Sequence, residues 1–433
     1  MSSLSDSVKL PCGLVFPNRL VKAAMAEMLA GFQNEPNASL ISVYDQWAKG
    51  NWGAVLTGNV QVDVNHLGTP FDPALSGTYT DASTNSELLS KWRKYAEVSQ
   101  AHGTPTLVQV CHPGRQSMRV SGRKGIFGST IAPSAIPINM GDGFIQRWLG
   151  WFVFPPPREM TQKDIDAVTR QFVDTARLMA DAGFSGIELH GAHGYLIDQF
   201  LNPKSNIRTD AYGGSAAARA KFVLDIIAQI RAVVPSTFAV GIKFNSADYN
   251  SSFFEVTMTQ IGLLADAGID FLEISGGSYE DPKMFSLNET QQQPGQHSAQ
   301  TQTTGREPKS ARTAAREAFF LEFASAVRQR YPALPLMLTG GFRSRAGAEY
   351  ALSRNACDMV GIGRPAAIDP AFPRLLLDES LPEEEAQLKL NKVAVPFWAK
   401  WIPLTAIGAG AESSYYTSQI QRIAKGLKTI VPI

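Results

Sequence analysis

The sequence predicts an α/β chain folded as a (β/α)₈ barrel, with long loops after strands 3 and 6 and a C-terminal extension. Three observations carry that prediction. Eight short apolar runs rich in β-forming residues alternate with longer helical patterns along 433 residues. Most of these runs are continuously apolar rather than alternating, as a parallel strand buried on both faces requires. Finally, Ala180-Asp-Ala-Gly-Phe-Ser-Gly-Ile-Glu-Leu-His190 is echoed by Ala265-Asp-Ala-Gly-Ile-Asp-Phe-Leu-Glu-Ile-Ser275, so one helix end, glycine and buried strand is used twice. An open doubly wound sheet would give the same local signals. Neither GxGxxG nor GxxxxGKS/T follows a candidate strand, which removes its usual nucleotide-binding versions.

The elements follow in order. Strands are expected at 19–25, 53–63, 104–112, 183–191, 238–246, 268–277, 334–342 and 357–365. Helices are expected near 40–50, 85–102, 162–182, 216–233, 257–267, 311–330 and 344–355. The helix at 162 has the clearest ends: Thr161 and Asp164 form a capping box, and Gly183 stops it. Three segments exceed a minimal barrel. The connection 113–160 carries Trp148, Trp151, Phe152 and a triple proline, and 278–309 is a Gln- and Thr-rich stretch that reads as a lid. Beyond 380 come an acidic helical start and an aromatic segment at 396–403. Loops this long are uncommon unless they serve a function or are disordered. The expected division is a barrel over 1–378 and an extension over 379–433 that packs on the barrel or at a subunit interface.

Composition narrows the function classes. The net charge of +1 advertises neither a nucleic-acid surface nor a membrane partner. Three scattered cysteines exclude a four-cysteine iron–sulfur cluster and give no disulfide framework. The start lacks a signal pattern, and the apolar stretch Val393–Ala411 is broken by Pro396, Lys400 and Pro403. A soluble cytoplasmic protein is expected.

Barrel chemistry gathers at the C-terminal strand ends. Three of the six histidines fall there, namely His112, His190 and His193. With them come Gln109, Arg115, Tyr195, Lys243, Asn245, Ser275, Thr339 and Arg364. A lone strand-end histidine is ordinarily a hydrogen-bonded loop residue, but three in one rim point to function. His190 and His193 with His112 invite a metal reading, yet no second-shell acid accompanies them in the sequence. The rival reading aims both imidazoles at one substrate oxygen, with Tyr195 beside them as a proton source. The glycines of Thr339-Gly-Gly-Phe-Arg343 and Gly361-Ile-Gly-Arg364 suit a phosphate at the last two strand ends, or simply make tight turns. Lys243 is open between a Schiff-base amine and a fixed cation beside an anionic ring.

At this point the motifs match a family. Phe16-Pro-Asn-Arg-Leu-Val-Lys-Ala-Ala-Met25, Gln109-Val-Cys-His-Pro-Gly-Arg115, the run His190–Pro203 and the run Asn206–Ser215 resemble the Old Yellow Enzyme family of FMN-dependent ene-reductases. With the two glycine-rich ends, the resemblance covers about residues 8–375. It implies a barrel with non-covalent FMN, reduced by NADPH or NADH and reoxidised by an activated alkene. Ala24, Met25 and Ala26 would lie against the isoalloxazine, Asn59 near its edge, and Gln109 on its pyrimidine half. Lys243 would be the cation beside the ring, and Gly341, Phe342, Gly363 and Arg364 would take the phosphate. His190 and His193 would bind the carbonyl oxygen of an enone or enal, and Tyr195 would protonate the α-carbon. No metal is implied, and the expected assembly is a monomer or homodimer.

The departures are local. Lys243 stands where many members have arginine, so a point charge replaces a bidentate fork. Ala26 stands where one branch has a flavin-tuning cysteine or threonine, and Ala216 and Ala217 where Glu-Asn is usual. The His–His pair is similar to the bacterial-type branch. The alternatives are a specialised flavin-barrel isomerase or desaturase of secondary metabolism, a Schiff-base lyase using Lys243, and a flavin-binding barrel that has lost catalysis.

Overall fold

The computed structural model describes residues 3–83, 85–125, 128–141, 143–246, 253–275, 311–393 and 407–432. The expected lid at 278–309 and the aromatic segment at 396–403 lie outside them.

Eight parallel strands close a barrel in chain order: β1 (Leu20–Lys22), β2 (Ala54–Gln61), β3 (Thr106–Cys111), β4 (Gly186–Gly191), β5 (Ala239–Asn245), β6 (Phe271–Ser275), β7 (Leu336–Thr339) and β8 (Met359–Ile362). The ring is completed where Val360 pairs with Leu20. The crossovers carry α1 (Ala38–Ala48), α2 (Ser86–Ser99), α3 (Gln162–Ala182), α4 (Ala216–Arg231), α5 (Phe254–Asp266), α6 (Ala311–Arg330) and α7 (Arg345–Ser353). Helices α1 to α5 pack side by side around the sheet.

Local chemistry sets these boundaries. In α3, Thr161 Oγ1 accepts from the Asp164 amide and the Asp164 carboxylate accepts from the Thr161 amide at 2.8 Å. At the other end Gly183 adopts φ 92°, where a side chain would be strained. Ile165, Val168, Phe172, Ala176 and Met179 form its buried stripe at helical spacing. Asn37, Asn85, Ser215 and Ser344 cap α1, α2, α4 and α7 with their side chains. The Ser215 cap stands despite the alanines that follow it.

The last two strands are shorter than the apolar pattern predicts, since pairing stops before Gly340-Gly341 and Gly363. β1 likewise ends at Lys22, which leaves Ala24–Ala26 in the loop above the barrel. Lys22 itself is structural. Its Nζ donates to the Leu56 carbonyl at 2.9 Å and lies 4.1 Å from the Trp47 ring centre. Burial pulls its pKa down to about 8.

The opposite mouth is plugged. A hairpin of Val8–Lys9 and Val15–Phe16 packs Val8, Leu10 and Phe16 on Ala54, Ala239, Phe271 and Met359, each the first residue of its strand. The long connection after β3 carries strands 130–132 and 157–159 and a helix over Phe144–Val153. The Asn206–Ser215 run staples it: buried Arg208 donates from Nη1 to the carbonyls of Pro133 and Met160, each at 2.8 Å. Beyond β8 come short helices Arg364–Ile368 and Phe372–Leu377, then α8 (Ile407–Ala424), which lies against α1 and the first of them. No helix among the described residues is long and apolar enough to cross a membrane.

Candidate active site

The end of β4 builds the most reactive corner. His193 and Gly194 both take positive φ, at 59° and 75°, so the chain turns sharply after the strand. A non-glycine residue held there carries strain of a kind that collects at functional sites. The turn is fixed from several sides. Asp198 accepts from the Gly194 amide at 2.7 Å, and Gln199 Nε2 donates to the carbonyls of Gly194 (2.7 Å) and Pro113 (3.0 Å). The His190–Pro203 run therefore holds its own loop while presenting three rings.

Those rings touch. The His190 ring centre lies 5.0 Å from that of His193 and 4.4 Å from that of Tyr195. From β2, Asn59 Nδ2 donates to Tyr195 Oη at 3.0 Å. From β6, Ser275 Oγ lies 3.1 Å from His193 Nε2. Burial, then the charge of neighbouring groups, holds the His190 pKa well below its usual value and pulls His193 down to about 3. Both rings are therefore neutral at physiological pH. The Ala192 amide donates to His190 Nδ1 at 3.4 Å, which places the ring proton on Nε2 as an outward donor.

A buried charge cluster lies beneath. Register pairs Gln109 with Glu188, His190 with Lys243 and Lys243 with Glu273 across β3 to β6. Lys243 Nζ lies 2.9 Å from Glu273 Oε1, with the two side chains 3% and 0% exposed. Burial works against the charge on Lys243, but Glu273 and Glu188 more than offset it and hold its pKa above the usual value. Burial, then the charge of Glu273, pushes the Glu188 pKa well above the usual carboxylate range. Gln109 Nε2 donates to Glu188 Oε1 at 2.6 Å, so its amide nitrogen is committed inward. An ammonium so paired is a poor nucleophile, which weighs against the Schiff-base lyase. Glu188 and Glu273 were not among the sequence candidates. The signal was available, because both occupy the same place in the internal echo, two residues before the strand-end His190 and Ser275.

β7, β8 and β1 are neighbouring strands, followed by Gly341-Phe342, Gly363-Arg364 and Met25 respectively. A side chain added at Gly363 would meet Met25 Sδ at 3.6 Å. Gly58 of β2 is required where the 25–27 loop crosses it: a Cβ there would collide with the Met25 carbonyl and the Glu27 carboxylate, which accepts the Gly58 amide at 2.8 Å. This crossing holds Ala24, Met25 and Ala26 over the barrel mouth. Arg364 Nη1 donates to Glu412 of α8 at 2.8 Å, a partner beyond the span of the resemblance. Arg115 is turned away, donating to the carbonyls of Ile136 and Pro137.

His112 belongs to a different group, with Asp63 and His66. Its Nδ1 accepts the Gly114 amide at 3.0 Å, which puts the ring proton on Nε2 and leaves that nitrogen no lone pair for a cation. Burial pulls its pKa down to about 3. Among the described residues, His112 does not join His190 and His193 in a metal-ligating set.

The donor set suits an FMN: the Gln109 amide and the Lys243 ammonium from β3 and β5, the glycines and Arg364 that follow β7 and β8, and the aliphatic loop that follows β1. Residues 14–382 match the NADH:flavin oxidoreductase / NADH oxidase family. The chain is 42% identical over 404 residues to the NADH-dependent flavin oxidoreductase iliE of Hypocrea jecorina (strain QM6a), covering 92% of this chain and 95% of that one. It is 40% identical over 426 residues to the NADH-dependent flavin oxidoreductase iccE of Talaromyces variabilis, covering 98% of each. Among solved structures it resembles morphinone reductase, with a TM-score of 0.64 at 22% identity over 86% of this chain and 89% of that one. That likeness bears on the fold.

Proposed function

The chain belongs to the NADH:flavin oxidoreductase / NADH oxidase family, a branch of the Old Yellow Enzyme barrels that uses FMN and NAD(P)H, and from that premise we propose that it reduces the activated C=C bond of an α,β-unsaturated carbonyl compound with NADH as electron donor. The observation that carries the reading is the meeting of His190, His193, Tyr195 and Asn59 at one mouth of the barrel. NADH is taken as the donor because it is the coenzyme in the names of the two relatives reported above, which cover nearly the whole chain.

The chemistry an FMN held here would supply is hydride transfer between the nicotinamide and the alkene. The residues do the rest. Gln109, its amide nitrogen committed to Glu188, would have its carbonyl oxygen left to accept from the ring. Lys243 would provide a permanent positive charge beside the ring, and Gly341, Phe342, Gly363 and Arg364 would hold the phosphate. His190, through Nε2, and His193 donate to the substrate carbonyl oxygen. They do so as neutral imidazoles, so they polarise the double bond without giving up a proton. Tyr195 delivers the proton to the α-carbon, and Asn59 stabilises its oxygen as the proton leaves.

The decisive experiment is a visible spectrum taken through one cycle without oxygen. The flavin band is expected to bleach with NADH and return on adding 2-cyclohexenone. A band that bleaches and is not restored by any enone would reject ene-reduction in favour of a specialised relative.

Two further results are expected. His190→Ala weakens the binding of a phenol, read from the shift of the flavin band, while FMN is retained; loss of flavin instead would remove His190 from the substrate side. Reoxidation by the enone shows no ionisation near pH 6.5, because neither imidazole titrates there in the folded protein. An inflection at that pH that disappears in His193→Asn would overturn the neutral-donor assignment. The sign for stability follows from the same burial. The His193 pKa of about 3 lies below its unfolded value. Its contribution is therefore complete above about pH 6.5 and falls by about 1.4 kcal/mol per pH unit as acid is added towards pH 3.

A further inference from the structure

The C-terminal helix α8 supplies two residues that nothing in the family match assigns. Residues 14–382 carry that match, and α8 begins at Ile407. Yet α8 reaches both ends of the proposed flavin site. Thr417 Oγ1 donates to the Ala26 carbonyl at 3.0 Å and Gln421 Nε2 to the Glu27 carbonyl at 3.2 Å. One turn earlier, Glu412 accepts from Arg364 Nη1 at 2.8 Å.

Tyr416 stands between these anchors, four residues after Glu412 and so on the same face of the helix. It is 2% exposed, and its hydroxyl is buried with no hydrogen-bond partner among the described residues. A buried hydroxyl left unpaired is costly, so an orphan of this kind calls for a missing partner. The helix places it beside the phosphate end of the site. Glu412, four residues earlier on the same face of α8, holds Arg364, which follows Gly363 at the end of β8. Arg343, which follows the Gly340-Gly341-Phe342 turn at the end of β7, acts on the hydroxyl as Arg364 does, each guanidinium charge favouring its anionic form. A phosphate oxygen would accept its proton.

Glu412 plays a different part. A guanidinium has five donors in a fixed fork, and Glu412 engages one nitrogen. An acid as a direct phosphate neighbour would repel it; an acid behind the arginine fixes the fork and leaves its other donors for the ligand.

We propose that α8 completes the FMN phosphate site of this chain, with Tyr416 as a direct phosphate ligand and Glu412 as a positioning residue acting through Arg364. The proposal rests on the FMN reading given above.

The test compares FMN with riboflavin, its counterpart without the phosphate. The full chain is stripped of flavin, and dissociation constants are measured by fluorescence quenching. Wild type is expected to prefer FMN. Tyr416→Phe keeps the ring and its packing. It is expected to weaken FMN roughly tenfold or more, the worth of a hydrogen bond to a charged group, and to leave riboflavin unchanged. Glu412→Ala is expected to lose part of the preference for FMN, and Glu412→Gln, which still accepts from Arg364, to recover it. An unchanged FMN constant in Tyr416→Phe, with the preference for FMN intact, overturns the role of α8 and leaves the flavin reading standing. Equal weakening of both flavins overturns it too, because the effect is then not on the phosphate. Wild-type protein that binds the two equally removes the phosphate site itself, and the proposal with it.

Discussion

Tyr195→Phe is expected to slow reoxidation of the reduced enzyme by 2-cyclohexenone by about 10²–10⁴-fold, the usual worth of a positioned general acid. Reduction by NADH is expected to stay within a small factor of wild type. The asymmetry follows from where the hydroxyl sits. Its ring packs on His190 at 4.4 Å and its oxygen accepts from Asn59 at 3.0 Å, beside the two imidazoles assigned to the carbonyl. Removing one oxygen leaves this packing in place and removes the proton. Stopped-flow measurement of the two half-reactions, each under anaerobic conditions, separates the steps. Equal slowing of both would mean that the phenol shapes the pocket rather than protonating the substrate. Asn59→Ala supplies the control: it keeps the proton but removes the group that stabilises the oxygen left behind, so it is expected to slow the same half-reaction by a smaller factor.

The parts of this arrangement that were legible in the sequence are those dictated by short-range physics. Continuous apolar runs marked the buried strands because a parallel sheet wants apolar residues on both faces. Helix α3 was read to the residue because Thr161, Asp164 and Gly183 satisfy its terminal amides and carbonyls locally. The hairpin of Val8–Lys9 and Val15–Phe16 escaped notice because strands of two residues have no period to detect. The site divides in the same way. His190, His193, Tyr195 and Lys243 stood out as polar residues ending apolar strands, and the family resemblance gave them roles. Their partnerships were hidden, because Asn59 and Tyr195 are 136 positions apart and Arg364 and Glu412 are 48 apart. Glu188 and Glu273 are harder to read for a further reason: a carboxylate inside an apolar strand is tolerated only when a neighbouring strand pairs with it, and sequence does not show which residues fall side by side. The Asn206–Ser215 run, highly specific as a family mark, turns out to fasten the β3 connection through Arg208 and not to face the site.

Lys243→Met is expected to act on stability and on the flavin at once, and the two effects can be separated. Lys243 is the cation closest to Glu273 in a cluster that also buries Glu188, with Lys243 Nζ and Glu273 Oε1 2.9 Å apart. Removing one partner of such a pair strands a buried charge, at a cost of about 3–5 kcal/mol. For a chain of this length that corresponds to a melting temperature lower by about 3–6 °C. The flavin, if Lys243 faces its ring, loses a positive charge that favours the reduced form, so its midpoint potential is expected to become more negative. The double variant Lys243→Met/Glu273→Gln removes both charges. It is expected to recover most of the lost stability, because no uncompensated carboxylate remains, while the potential stays below that of wild type. Recovery of both would show that the lysine serves only to neutralise the barrel core. A lysine that reacts with carbonyl substrates in the wild-type protein, trapped by borohydride as a secondary amine, would instead require an unprotonated amine. That is incompatible with the ion pair, because Glu273 and Glu188 together hold the ammonium in its charged form.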